Sequence, residues 1–149
     1  MLIKIFFGLL IIAVNVVIQA YGTNIWLDRI IGYLSRVSKP VSSRRVVRLL
    51  IYTSSFLIFI HLVQAAIWAC LYLLMPEINE FATFEKSMYF SLVTFTTLGY
   101  GEITIDSSSR ILAGLEAMNG IILIGWSTAF MFSVYNELLK RGMAKRKRA

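Results

Sequence analysis

This sequence predicts an all-α integral membrane protein with three spanning helices and one re-entrant helix, and three observations lead there. The 149 residues are 58% hydrophobic with a mean hydropathy of +0.72. Only 15% are charged, where a soluble domain carries nearer a quarter. Three long apolar runs each approach the roughly 20 residues that cross a bilayer, and a shorter apolar run lies between the second and the third.

The charges are sorted along the chain in a way that fits such a topology. Six of 15 basic residues lie between Arg29 and Arg48: Arg29, Arg36, Lys39, Arg44, Arg45 and Arg48. Six more close the chain: Lys140, Arg141, Lys145, Arg146, Lys147 and Arg148. Five of eight acids (Glu77, Glu80, Glu85, Glu102 and Asp106) fall in the intervening 76–109 stretch. Basic residues concentrate on the cytoplasmic side of multi-pass proteins, so both clusters belong inside, with the N-terminus outside and the C-terminus cytoplasmic. The net charge of +7 does not imply nucleic acid. The tail lacks the aromatic and polar side chains that read bases and suits an anchor at anionic lipid.

The first run, about Leu2 to Ala20, contains Lys4, Asn15 and Gln19. Cleaved as a signal peptide, it would leave the two basic clusters on opposite sides; retained as a helix, it leaves them together. The second run, Leu49 to Met75, is interrupted by Thr53, Ser54, Ser55, His61 and Gln64, and the third, Ile111 to Tyr135, carries Glu116 and Asn119. Between them, Phe84 to Phe95 is apolar and aromatic over 12 residues. At ~1.5 Å per residue a helix of that length reaches about half-way through the hydrocarbon. Backbone that stops at that depth is tolerated only beside protein or a watery cavity.

The short run ends in Thr94-Phe95-Thr96-Thr97-Leu98-Gly99-Tyr100-Gly101-Glu102. Here the chain resembles the potassium-channel pore family, whose filter usually reads Thr-Val-Gly-Tyr-Gly-Asp. The resemblance covers about Phe84 to Tyr135 and the general character of the preceding helix. It places Gly120 at the family's inner-helix hinge and also matches Arg110, Gly125 and Thr128-Ala129. Leu98 stands for the usual valine, Glu102 for the usual Asp, and Val93 where some members carry a Glu. Hydropathy and charge place an extra N-terminal helix at 1–22, a basic cytoplasmic loop at 23–48 and a basic tail at 138–149, and the resemblance implies a pore domain at 49–137 between them. Within the pore domain it implies an outer helix at 49–75, a pore helix at 84–96, a filter at 97–101 and an inner helix at 110–137.

It also implies a mechanism. K⁺ sheds its water for rings of backbone carbonyls. An ordinary strand alternates its carbonyl directions, and positive φ at alternate residues corrects this; glycine reaches positive φ without a Cβ penalty. Thr97, Leu98, Gly99, Tyr100 and Gly101 are the expected coordinating stretch, with the Thr97 hydroxyl at its inner end. Thr96, Glu102, Tyr89 and Phe90 are the expected supports, Tyr100 bracing against Tyr89 or Phe90. One chain gives one carbonyl per ring, so a closed homotetramer is required. The short helix aims its partially negative C-terminal end at a cation. K⁺ is expected as the transported ion, with no cofactor, no enzymatic activity and membrane lipid as surroundings.

Ionisable and polar residues inside a span usually have a purpose. Glu116 and Asn119 beside Gly120 read either as tuning cation occupancy or as a hydrogen-bonded brace to His61, Gln64 or a hydroxyl of the short helix. His61 reads as a pH sensor or as a packed, satisfied histidine. Ile121, Ile124, Thr128 and Phe132 share one helix face, which by resemblance lines a cavity and by composition alone fits helix or lipid contact equally. Gly120 and Gly125 suit either a bend or close packing. No arginines recur at every third position of an apolar run, so a voltage sensor is not expected. Lone Cys70 and lone His61 provide no disulfide or metal cluster. The rivals to a K⁺ channel are a weakly selective cation channel and a non-conducting scaffold with a pore-like loop.

Overall fold

The computed structural model describes residues 2–36, 42–75, 78, 80–105 and 109–146, with side chains as far as 140. Four helices follow in order: α1 (Leu2–Arg36), α2 (Ser43–Leu74), α3 (Phe84–Phe95) and α4 (Arg110–Arg146). Three of them are long and apolar enough to cross a membrane, and among the described residues there is no strand. This is the expected all-helical architecture, with α3 as the short fourth element.

Contacts fix the directions of the helices. Gly8 of α1 sits against Leu112 and Leu115 of α4, Gln19 bonds Ser127, and Ile30 and Leu34 cluster with Val134 and Leu138. Both sequences advance together, so α1 and α4 run parallel. Gln64 reaches Asn15 and Gln19, while Trp26 reaches Thr53 and stacks on Phe56 at 4.3 Å, so α2 runs antiparallel to α1. The end of α1, the start of α2 and the end of α4 therefore share one end of the bundle. Arg29, Arg36, Arg44, Arg45, Arg48 and Lys140 are carried by the helices at that end.

Two sequence expectations need correction at this end. Residues 23–48, expected as a loop, are mostly helical: α1 continues to Arg36 and α2 already begins at Ser43. Likewise α4 does not stop at 137 but runs on to Arg146. No proline interrupts residues 21–36. Ile30 and Leu34, one turn apart, are buried against α4 while Asp28, Arg29, Tyr33 and Arg36 are exposed. That amphipathic pattern supports a helix after the apolar run has ended. At ~1.5 Å per residue, α1 is about 50 Å long and projects well beyond a hydrocarbon core of about 30 Å.

The opposite end holds the larger core: Trp68, Tyr72, Ile78, Phe81, Phe90, Phe95, Ile105, Leu112 and Leu123. Tyr72 meets Phe90 edge-on at 5.2 Å, and Phe81 lies 5.0 Å from Phe90. Truncating the cluster at the basic end tests whether α1 is held along its whole length. Leu138→Ala empties a fully buried position and should lower unfolding free energy by about 2–4 kcal/mol. It should also speed hydrogen exchange in residues 24–36, as measured by mass spectrometry.

Candidate functional site

The short helix α3 starts at Thr83, whose side chain accepts from the Lys86 backbone N–H, and Glu85 in its first turn suits the positive end of the helix dipole. Two serines one turn apart face α2. The Ser87 hydroxyl donates to the Ala69 carbonyl and that of Ser91 to the Ala65 carbonyl, both at 2.6 Å. These rungs hold α3 antiparallel to α2. Its last residue, Phe95, lies against Gly120, ten residues into α4. At helical rise that is about 15 Å, half the hydrocarbon thickness.

The contact at Gly120 is backbone on backbone. A Cβ there would stand 1.8 Å from the Phe95 carbonyl oxygen and 2.7 Å from its carbon. Only glycine permits this approach, so close packing accounts for Gly120. Gly125 has nothing within 4 Å of a Cβ position.

Helix α3 terminates in a six-residue closure. The Thr97 N–H donates to the Thr94 carbonyl and the Leu98 N–H to the Val93 carbonyl, both at 2.9 Å, with Gly99 N–H also directed to Val93 at 3.3 Å. With Thr96 as the capping residue, this is the Schellman pattern, which needs a left-handed residue immediately after the cap. That residue is Thr97, at φ +59°. Positive φ then recurs at Gly99 (+55°) and Gly101 (+78°) but not at Leu98 or Tyr100. The two glycines adopt the expected conformation. Thr97 extends the alternation one step inward, which the sequence did not signal, because a β-branched residue is a poor candidate for positive φ.

The supports are partly as expected. Tyr89 donates its hydroxyl to Glu102 Oε2 at 3.1 Å, tying the outer end of the loop to α3. A crevice of about 40 Å³ behind the loop is lined by Tyr89, Phe90, Val93, Tyr100 and Glu102, among others. Tyr100 borders it but stays 63% exposed, so within one chain it is only loosely braced. The Thr96 hydroxyl turns back to the Leu92 carbonyl at 2.7 Å. Asp106, one of the acids of the 76–109 stretch, lies outside the described residues.

Glu116 is fully buried and joins three helices. Its Oε2 accepts from the Tyr72 hydroxyl of α2 at 2.6 Å, and its Oε1 bonds the Ser91 hydroxyl of α3. Glu116 is thus a brace, bonded as one expected alternative had it to a hydroxyl of the short helix, Ser91, and in addition to Tyr72. His61 and Gln64 belong elsewhere: they bond each other at 2.8 Å and reach α1 and Ser127 of α4. Asn119 is a correction. It is buried, yet neither amide atom has a hydrogen-bond partner among the described residues, because the adjacent Gly120 contact fixes the rotation of α4. Sequence reasoning missed Tyr72 and Ser87 and anticipated Ser91 only as an unnumbered hydroxyl of the short helix; hydroxyls at 87 and 91, spaced by one turn, were the available signal.

Ile121, Ile124, Thr128 and Phe132 are all exposed in the single chain, away from the buried seam of Leu112, Glu116, Leu123, Ser127 and Val134. Ile124, Thr128 and Phe132 also border a groove of about 690 Å³ against Leu50, Ser54 and His61 of α2.

Two substitutions check this geometry. Gly120→Ala should force the end of α3 off α4 and destabilise the protein by about 3 kcal/mol, whereas Gly125→Ala should stay within about 1 kcal/mol of the parent; thermal midpoints in detergent read both. Glu116→Ala should cost about 2–4 kcal/mol by orphaning the buried Tyr72 hydroxyl and leaving a cavity between three helices, and Glu116→Gln, which keeps the shape and an acceptor, should recover most of it on the same measurement.

Comparison with known proteins gives a consistent result. The sequence profile described as "Ion channel" matches residues 49–137, well over half of the chain. Two-pore potassium channel 1 of Arabidopsis thaliana is 39% identical over 59 residues, covering 38% of this chain and 16% of that protein. A cyclic nucleotide-gated potassium channel of Rhizobium etli is 32% identical over 69 residues, covering 45% of this chain and 19% of that protein. The chain thus matches under a fifth of the length of either relative. No solved structure gives a significant match. A half-length helix that ends at mid-depth on a glycine of the next span, and the profile match across all the elements that build it, place this chain in the ion-channel family.

Proposed function

We propose that four copies of this chain assemble around the 97–101 loop and conduct K⁺ passively down its electrochemical gradient. The observation that carries this reading is the alternation of positive φ at Thr97, Gly99 and Gly101. With every second residue left-handed, successive carbonyls can face one axis, and the loop starts where α3 ends at mid-membrane. Thr97, Leu98, Gly99 and Tyr100 would offer their carbonyls, and Thr97 its hydroxyl below them. The loop itself is exposed in the single chain, as are Ile121, Ile124, Thr128 and Phe132, which supports an assembly in which these surfaces meet an axis or a neighbour. The negative end of α3 favours a cation just below the loop, and Glu102 adds negative potential at its outer end.

The two relatives are potassium channels by name, which favours K⁺ over other cations. The shared position of the basic clusters supports a plasma or inner membrane protein with that end cytoplasmic and the N-terminus outside. The chemistry needs no cofactor and no catalytic group. Leu98 and Glu102, in place of the family's usual valine and Asp, favour one further reading, a channel of weaker K⁺ over Na⁺ preference.

Flux into liposomes carrying the purified protein tests these readings. Selective K⁺ flux is expected, and Gly101→Ala, which puts a Cβ on a residue at φ +78°, should abolish it while leaving the oligomer intact by size. Comparable K⁺ and Na⁺ flux would establish the weakly selective reading. A folded oligomer that passes neither ion would overturn the proposal in favour of a scaffold.

A further inference from the structure

A second polar cluster, separate from the Glu116 brace, closes on itself. Gln64 Nε2 donates to Gln19 Oε1 at 3.1 Å, and Gln19 Nε2 donates to Ser127 Oγ at 2.9 Å. Ser127 Oγ and His61 Nε2 are 2.9 Å apart, and His61 Nδ1 and Gln64 Oε1 are 2.8 Å apart. The proton count is then determined. An amide oxygen can only accept, so His61 carries its hydrogen on Nδ1. The Nε2 of the neutral ring is therefore an acceptor and takes the Ser127 hydroxyl proton. Each of the four side chains gives one hydrogen bond and receives one around the ring. Gln19 and Gln64 are fully buried, Ser127 is 8% exposed, and His61 and Ser127 border the groove between α2 and α4.

The ring joins α1, α2 and α4 at a telling depth. Ser127 lies two turns toward the basic end from Gly120 and adjoins Thr128, and the His61 ring is 5.7 Å from the ring of Phe95, the residue seated on Gly120. Helix α1 lies outside the 49–137 segment shared with the family. Resting on the channel reading above, we propose that Gln19 is a positioning residue for the pore, through which α1 sets the placement of the inner helix α4 and hence the probability of opening, with ion choice left to the separate loop.

The test uses the full chain in planar bilayers, with open probability and the K⁺/Na⁺ permeability ratio as readouts. Gln19→Leu should change open probability by about fivefold or more and leave the permeability ratio unchanged. Ser127→Ala breaks the ring from the inner-helix side and should give the same phenotype without adding to Gln19→Leu; it stands in if Gln19→Leu fails to assemble. A conducting parent whose open probability is the same in both variants overturns this inference and leaves the channel reading intact. A parent that passes no ions overturns both.

Discussion

The constraint on which this structure depends is a helix that stops in the middle of a membrane. The last turn of any helix leaves carbonyls without intrahelical partners, and hydrocarbon offers no water to satisfy them. At α3 the chain itself answers part of this demand. The Thr97, Leu98 and Gly99 N–H groups turn back onto Thr94 and Val93, and the Thr96 hydroxyl covers Leu92. The remaining exposure is limited by packing: the Phe95 carbonyl is pressed onto the bare backbone of α4 at Gly120. Both devices act at the same residues, so the direction in which the chain leaves α3 and the distance of α3 from α4 are set together.

The lateral position of α3 has a different origin. Ser87 and Ser91 bond the carbonyls of α2, and Ser91 shares Glu116 with Tyr72. Between apolar helices in lipid there is little hydrophobic drive to choose one register over another, and hydrogen bonds to the neighbouring backbone supply the choice. A one-residue slide of α3 would break both serine rungs and the carboxyl bridge at once. This explains why a buried carboxyl is retained within a span, where it is costly unless well partnered.

The sequence made much of this legible. The apolar runs gave the spanning helices because length and composition suffice for that inference, and a 12-residue run followed by Gly-Tyr-Gly pointed to the half-length helix and its loop. It was less informative wherever the determinant was a three-dimensional neighbour. The glycine at 120 could be a hinge or a contact until the carbonyl of Phe95 was located. Glu116 invited a brace, but choosing Tyr72 over His61 depends on the rotation of α2, which an almost uniformly apolar helix does not reveal. The helical ends of α1 and α4 lie beyond the apolar runs and carry charge, which suggests loop and tail; Ile30 and Leu34 one turn apart are the signal that the helix continues.

Thr97 shows why local preference was the wrong guide at the most important turn. A left-handed residue after a helix is usually glycine, and a β-branched side chain there costs roughly 1–2 kcal/mol. A glycine would relieve the cost but leave the exit from α3 free to take several directions. A threonine held at φ +59° by two backbone hydrogen bonds has no comparable alternative nearby, so strain and restriction come together. Because φ alternates from this residue outward, fixing Thr97 fixes the phase of the pattern that Gly99 and Gly101 continue. The closure at the end of α3 and the loop beyond it are therefore one structural unit, and the conformation of the loop is decided where the helix ends.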